Sequence, residues 1–226
     1  MEGEFLILFL LFLIAMLYSS VGHGGASGYL AILSLTIYAE YDSGWLKQHA
    51  WALNLVVAAI AFYHYKKAGF FNLKISYPFI LASIPFAIIG GYMKVGGVFY
   101  DTLLSITLVW AAYKLLQIKE VNSTTEIRVP SLRYAVPIGG GMGLMSGFVG
   151  VGGGIFLSPI LLLKRWADPK TAAATAALFI WVNSMAGLVG ASISGQLVIQ
   201  MNILFPFIVA VLLGGYIGAK YGSENA

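Results

Sequence analysis

Nine apolar runs dominate the chain, at 5–21, 28–38, 46–63, 77–93, 98–117, 134–149, 155–163, 171–190 and 198–218, separated by short polar breaks. Most approach the roughly 20 residues a helix needs to cross a hydrocarbon core of about 30 Å. The runs at 28–38 and 155–163 fall short: at about 1.5 Å per residue they reach only about half that depth. The pattern predicts an all-α polytopic membrane protein with two half-length elements. The first run begins with Glu2 and Glu4 instead of basic residues, and no small-x-small site follows it. It therefore reads as part of the membrane structure and not as a signal peptide.

Each half-length run follows a glycine cluster. The first is Gly22-His23-Gly24-Gly25-Ala26-Ser27-Gly28 and the second is Gly150-Val151-Gly152-Gly153-Gly154. Gly22, Gly24 and Gly25 align with Gly150, Gly152 and Gly153 at a constant offset of 128, and Gly90-Gly91-Tyr92 aligns with Gly214-Gly215-Tyr216 at an offset of 124. Asn54 and Asn183 fall at similar places in the run after each cluster and are expected to correspond. This is the signature of a diverged duplication. The division is repeat 1 at 1–118, a polar linker at 119–133, and repeat 2 at 134–226, the two repeats forming one membrane domain.

Composition fits lipid as the solvent. Only 10% of the 226 residues are charged and 59% are hydrophobic, against about 25% charged in a soluble domain. With no Cys, a disulfide scaffold and a zinc-thiolate site are excluded. The net charge of +4 needs no nucleic acid to explain it, because basic loops orient membrane proteins. If each glycine element is a hairpin that enters and returns, Lys66, Lys67, Lys74, Lys114, Lys119, Arg128, Arg133, Lys164, Arg165, Lys170 and Lys220 share one face. Lys47 and Lys94 alone lie on the other. The rich face is then cytoplasmic, which places the 119–133 linker inside and the N-terminus outside. A hairpin plus three crossings inserts the second half upside down, a recurrent transporter plan with substrate near the midplane. The expected location is the cell (inner) membrane.

The glycine clusters carry the candidate chemistry. Backbone groups freed inside a membrane must face protein or water, and a glycine cluster before a short helix leaves N–H groups at the tip, where the positive helix end favours an anion. The candidate substrate-binding residues are Gly22, His23, Gly24, Gly25 and Ser27 in the first cluster and Gly150, Gly152, Gly153, Gly154 and Ser158 at the second, with Asn54 and Asn183 in the following runs. Glycine also packs membrane helices closely, the simpler reading for Gly90-Gly91 and Gly214-Gly215. His23 could donate to an anion or carry a coupling proton; it could equally be held by a backbone carbonyl. His49 reads as interfacial, as do Trp45, Trp51 and Trp166. No cofactor and no metal site are expected. Apart from Asp101 near the start of the 98–117 run, no Asp or Glu falls inside a span, which argues against a cation channel.

Gly150-Val151-Gly152-Gly153-Gly154 followed by Pro159, with its degenerate copy at 22–28, resembles the recurrent pattern of the sulfite exporter TauE/SafE family. The resemblance covers nearly the whole chain. It implies a polytopic transporter of small, often sulfur-containing anions such as sulfite, thiosulfate or organosulfonates. Two features depart from the family plan: the first repeat has Ala26 for glycine and lacks the proline, and only ten residues follow Tyr216, so the last helix of the second repeat is absent from this sequence. The rival from another class is an intramembrane serine protease, because Gly25-Ala26-Ser27-Gly28 resembles the rhomboid Gly-x-Ser-Gly motif. That reading needs a histidine partner for Ser27.

Overall fold

The computed structural model describes residues 2–116 and 128–225, so the part of the expected linker before Arg128 lies outside the described residues. Among the described residues the regular elements are all helical. They are α1 (Glu2–Ser19), α2 (Ala26–Ser34), a 3-10 turn (Ile37–Glu40), α3 (Ser43–Lys67), α4 (Leu73–Tyr92), α5 (Gly97–Leu116), α6 (Leu132–Val149), α7 (Gly154–Leu163), α8 (Pro169–Ile193) and α9 (Met201–Asn225). By length and composition α4, α8 and α9 can each cross a membrane.

Capping separates two kinds of helix. At α3 the Asp42 carboxylate accepts from Trp45 N at 2.7 Å, and at α8 Asp168 accepts from Lys170 N and Thr171 N, both at 3.0 Å. Asn72 accepts from Lys74 N at the start of α4. These side chains satisfy N–H groups that have no partner within the helix. The short helices differ: α2 and α7 begin at Gly25 and Gly153, both left-handed and without a side-chain cap.

Side-chain pairs fix the helix directions. Down the centre α3 and α8 are antiparallel, with Trp51 facing Gly187, Asn54 bonded to Ser184, Ala61 against Ala177 and Tyr65 against Ala173. Helix α9 runs parallel to α3, where Val57 meets Gly215 and Ala61 meets Ala219. It is also parallel to α1, whose Phe12, Met16 and Ser20 lie against Gly214, Gly218 and Gly222. Likewise α4 is parallel to α8 through Ser76–Thr175 and Ser83–Asn183, and to α6 through Phe79–Gly139, Ser83–Gly143 and Ala87–Gly147. Thus α1, α3 and α9 point one way, and α4, α6 and α8 the other. Exchanging the two halves exchanges the contacts: α1 on α9 becomes α6 on α4, and α9 on α3 becomes α4 on α8.

The glycine seams matter because lipid gives helices no hydrophobic reason to associate; close packing must do so. A Cβ at Gly218 or Gly222 would collide with the Met16 or Ser20 carbonyl. Since α1 and α3 are parallel, the chain must double back between them, and α2 carries it. Helices α1 and α2 form a hairpin open at the end where α3 begins. Helices α6 and α7 form a second one, open at the opposite end.

Charge is divided between those ends. One holds the starts of α4, α6 and α8 and the ends of α3, α7 and α9, with Lys66, Lys67, Lys74, Arg128, Arg133, Lys164, Arg165, Lys170 and Lys220. Among the described residues only Lys47 and Lys94 mark the other.

Four residues expected at membrane interfaces are instead inside the bundle. Trp45, Trp51, Trp166 and His49 are 2%, 0%, 9% and 0% exposed. The reason is the central place of α3, whose first turns are enclosed by neighbouring elements. Trp45 stacks between Tyr41 and His49, with ring centroids 4.2 and 3.8 Å away. Trp166 packs on Phe79 at 5.9 Å.

Candidate functional site

The two glycine turns meet at the middle of the bundle. In the first, Gly22 and Gly25 have φ of +76° and +93°; in the second, Gly150, Gly152 and Gly153 have +92°, +77° and +77°. These left-handed conformations reverse the chain within a few residues, which glycine alone does at little cost. Each turn delivers a short helix whose N-terminus starts near the centre. The N–H groups in the first turns of α2 and α7, and the positive ends of both helices, therefore point toward the same region.

Asn54 joins the two turns. Its Oδ1 accepts from Ala26 N at 3.0 Å, and its Nδ2 donates to Ser184 Oγ at 3.2 Å. It is fully buried. A Cβ placed on Gly24 would strike the Asn54 amide, and one on Gly152 would come within 2.6 Å of its Nδ2. The other side chain that faces both glycines is Ile180 of α8, whose Cγ2 would lie 2.9 Å from either added Cβ. Asn54 and Ile180 stand 126 residues apart, the same offset as the helix caps Asp42 and Asp168. The structural counterpart of Asn54 is thus Ile180 and not Asn183, which corrects the correspondence expected from sequence. Position along an apolar run does not fix which face of the helix meets the turn.

His23 sits at the tip of the first turn and reaches α7. Its Nδ1 lies 3.0 Å from the Val21 carbonyl, an acceptor only, so Nδ1 carries the proton and Nε2 keeps a lone pair. Nε2 faces Ser158 Oγ at 3.3 Å. Both residues are 7% exposed. They line a cavity of about 490 Å³ at the basic end, largely apolar, that also touches Gly22's neighbours Val21 and Ala173, Tyr65 and Lys170. Next to it, between the turns, is a space of about 10 Å³ bordered by Tyr18, His23, Gly24, Ser27 and Ile155. That is no more than one water's worth. A third cavity, of about 590 Å³, opens at the opposite end and includes Lys47. The crossing thus separates two cavities that approach from opposite ends.

The expected site residues do not all gather here. His23, Gly24, Gly25, Asn54, Gly152, Gly153, Gly154 and Ser158 surround the crossing, with Gly153 against Phe179 and Gly154 against Ile180, whereas Gly22 lies farther along, against Ala173. Gly150 lies farther along, against Lys47. Asn183 turns to α4, donating from Nδ2 to Ser83 Oγ at 2.9 Å and to the Phe179 carbonyl at 2.8 Å. Ser27 Oγ donates to Tyr18 Oη at 3.0 Å; His23 borders the same small space but is held by the Val21 carbonyl and Ser158, and His49 Nε2 accepts from Gln200 N. The pairing required by the protease reading is therefore not formed at Ser27. Sequence reasoning missed Tyr18, Tyr65 and Ile180. No motif marks them, and they join the site only through contacts between distant segments.

Tyr65 anchors the first turn from the end of α3 by donating to the Ser20 carbonyl at 2.5 Å. Removing one such bond costs about 1 kcal/mol. Tyr65→Phe is expected to lower the melting temperature of the detergent-purified protein by about 2–4 °C. An unchanged melt would show that this tie contributes nothing to holding the turn.

The family model described as "Sulfite exporter TauE/SafE" matches residues 7–224. The chain is 35% identical to the "Probable membrane transporter protein y4hK" of Sinorhizobium fredii over 94% of its own length and 85% of that protein. It is 23% identical to the "Probable membrane transporter protein YdhB" of Bacillus subtilis, covering 96% of this chain and 89% of the relative. No solved structure matches.

Proposed function

The chain belongs to the sulfite exporter TauE/SafE family of membrane transporters, and on that premise we propose that it moves a small sulfur-containing anion, such as sulfite, thiosulfate or an organosulfonate, by alternating access at the crossing of its glycine hairpins. One observation carries the reading: two helix N-termini that start on left-handed glycines converge on Asn54, which takes only the first N–H of α2, between cavities that approach from opposite ends. Backbone N–H groups and helix dipoles suit an anion and, without a fixed cation at the crossing, hold it reversibly.

The two halves are read as inverted repeats. Matched helices run in opposite directions and exchange contacts when the halves are exchanged, which supports a pair of equivalent states with the cavities opening in turn. The basic end is assigned to the cytoplasm by the positive-inside rule, with the N-terminus outside and the protein in the inner membrane. The cavity holding His23 then faces the cytoplasm. Export is favoured by a negative interior, by about 2.3 kcal/mol per charge per 100 mV. A tag in the 119–133 linker that is reached only from outside intact cells would reverse the assignment.

His23 is the coupling group in this reading. Because Nδ1 is committed to Val21, protonation occurs at Nε2, beside Ser158, and adds a positive charge to the cavity. His23→Gln is expected to lower flux about tenfold and to flatten its dependence on pH. A variant that keeps the native pH profile removes His23 from proton coupling. The central test is flux in proteoliposomes with sulfite, thiosulfate, a sulfonate and sulfate, with empty vesicles as reference. Saturable movement of at least one sulfur anion is expected, and movement of none overturns the substrate assignment.

A further inference from the structure

The two lysines on the sparsely charged end share one place. Lys47 and Lys94 both line the cavity of about 590 Å³ at that end. Lys94 is exposed, whereas Lys47 is only 3% exposed. A buried ammonium has three N–H donors to satisfy. The single hydrogen-bond acceptor that the described residues offer it is the Met93 carbonyl, at a long 3.5 Å. The Trp51 ring lies 5.5 Å from Nζ. No carboxylate among the described residues pairs with it. Asp42, in the same cavity, commits one carboxylate oxygen to the first turn of α3 and acts on Lys47 only through its charge, without an ion pair. A desolvated cation with unfilled donors is costly unless an anion completes it.

The duplication gives this lysine a counterpart. A Cβ on Gly150 would lie 2.6 Å from Lys47 Cβ, and a Cβ on Gly22 would lie 2.5 Å from Ala173 Cβ. Lys47 therefore stands under the second turn as Ala173 stands under the first, again at an offset of 126. His23 likewise has Val151 as its counterpart. The cavity at the basic end has a nitrogen side chain on its turn and alanine beneath. At the opposite end the turn has valine, and the nitrogen comes from beneath.

We propose that the cavity at the sparsely charged end is a second oxyanion site, in which the Lys47 ammonium is the principal contact and Lys94 assists from the rim. Its ligand is a small oxyanion of the sulfite, thiosulfate or sulfate class. The nearby Asp42 and Asp101 offset the two lysines, so the bound anion is held loosely enough to leave. The place of this site on a transport path rests on the transporter reading; the binding does not.

Two measurements test it. In calorimetric titrations of the detergent-purified protein with sulfite, thiosulfate and sulfate, at least one anion binds, and Lys47→Gln weakens that binding at least tenfold. Lys47→Arg stays within about threefold of native, and Lys94→Gln weakens binding two- to fivefold. In proteoliposomes of defined orientation, Lys47→Gln raises the half-saturating anion concentration at the sparsely charged face at least tenfold and leaves it within twofold at the basic face. Native protein that binds none of the three anions, or K47Q and K94Q variants that both bind as native does, overturns the proposal. Should K47Q fail to fold, the K47R and K94Q titrations decide. Native protein that binds through Lys47 but moves no anion leaves the site standing and removes the transporter reading; equal half-saturation at both faces in K47Q does the reverse.

Discussion

Replacing Gly152 with valine is expected to reduce anion flux more than 100-fold. Gly152 has φ of +77°, a conformation that costs an L-residue about 1–2 kcal/mol and a β-branched one more. The new Cβ would lie 2.6 Å from Asn54 Nδ2 and 2.9 Å from Ile180 Cγ2. Neither neighbour can yield cheaply. Asn54 is fixed by Ala26 and Ser184, and Ile180 also packs against Gly154. Adding the loss of about one buried hydrogen bond gives roughly 3 kcal/mol, which is about 100-fold if it falls on the conducting geometry. Gly141 is the matched control: nothing lies within 4 Å of a Cβ there, and Gly141→Ala should transport normally. Flux per folded molecule, with size-exclusion profiles for both variants, checks the pair. If Gly152→Val keeps more than half the native flux, the crossing is not on the path.

Asn54 should separate stability from transport. Asn54→Leu strands the Ala26 N–H and the Ser184 hydroxyl inside the bundle, at about 1–3 kcal/mol for each unsatisfied group. Its melting temperature should fall by 6 °C or more, since 1 kcal/mol is worth about 2–4 °C in a chain of this size. Asn54→Asp keeps an acceptor for Ala26 N but sets a carboxylate between the two helix N-termini. It should fold better than the leucine variant and still lose flux at least 30-fold, because the fixed charge competes with the anion for the same N–H groups. Asn183→Leu is the contrast. Its amide bonds toward α4 and its buried Oδ1 has no partner among the described residues. It should lose stability while flux per folded molecule falls less than fivefold. Aspartate at 54 with native flux would remove the anion-cradle mechanism.

Much of the architecture could be read from residue order. Helix lengths follow from the apolar runs, and the half-length of α2 and α7 from where those runs stop. The turns follow from glycines that sit where only φ above zero reverses the chain. The offset of 128 between the clusters marks two glycine turns, each with left-handed glycines ahead of a short helix. What failed was facing. A membrane helix is apolar all round, so its sequence has no polar stripe to say which side looks inward. That is why Asn183 looked like the partner of Asn54 while Ile180 was invisible. It is also why Trp45, Trp51 and His49, which have the composition of an interfacial belt, are found in the interior of the bundle.

The local chain chemistry dictated helix positions, the two left-handed glycine turns, the glycine starts of α2 and α7, and the division of basic residues between two faces. These properties depend on residues a few positions apart. The tertiary structure decided that both turns close on one asparagine, that His23 meets Ser158 across 135 positions, and that Lys47 is buried beneath Gly150. Those depend on the rotation and depth of each helix against its neighbours. In lipid that is set by small-residue packing between segments far apart in the chain, because no hydrophobic force distinguishes one apolar face from another.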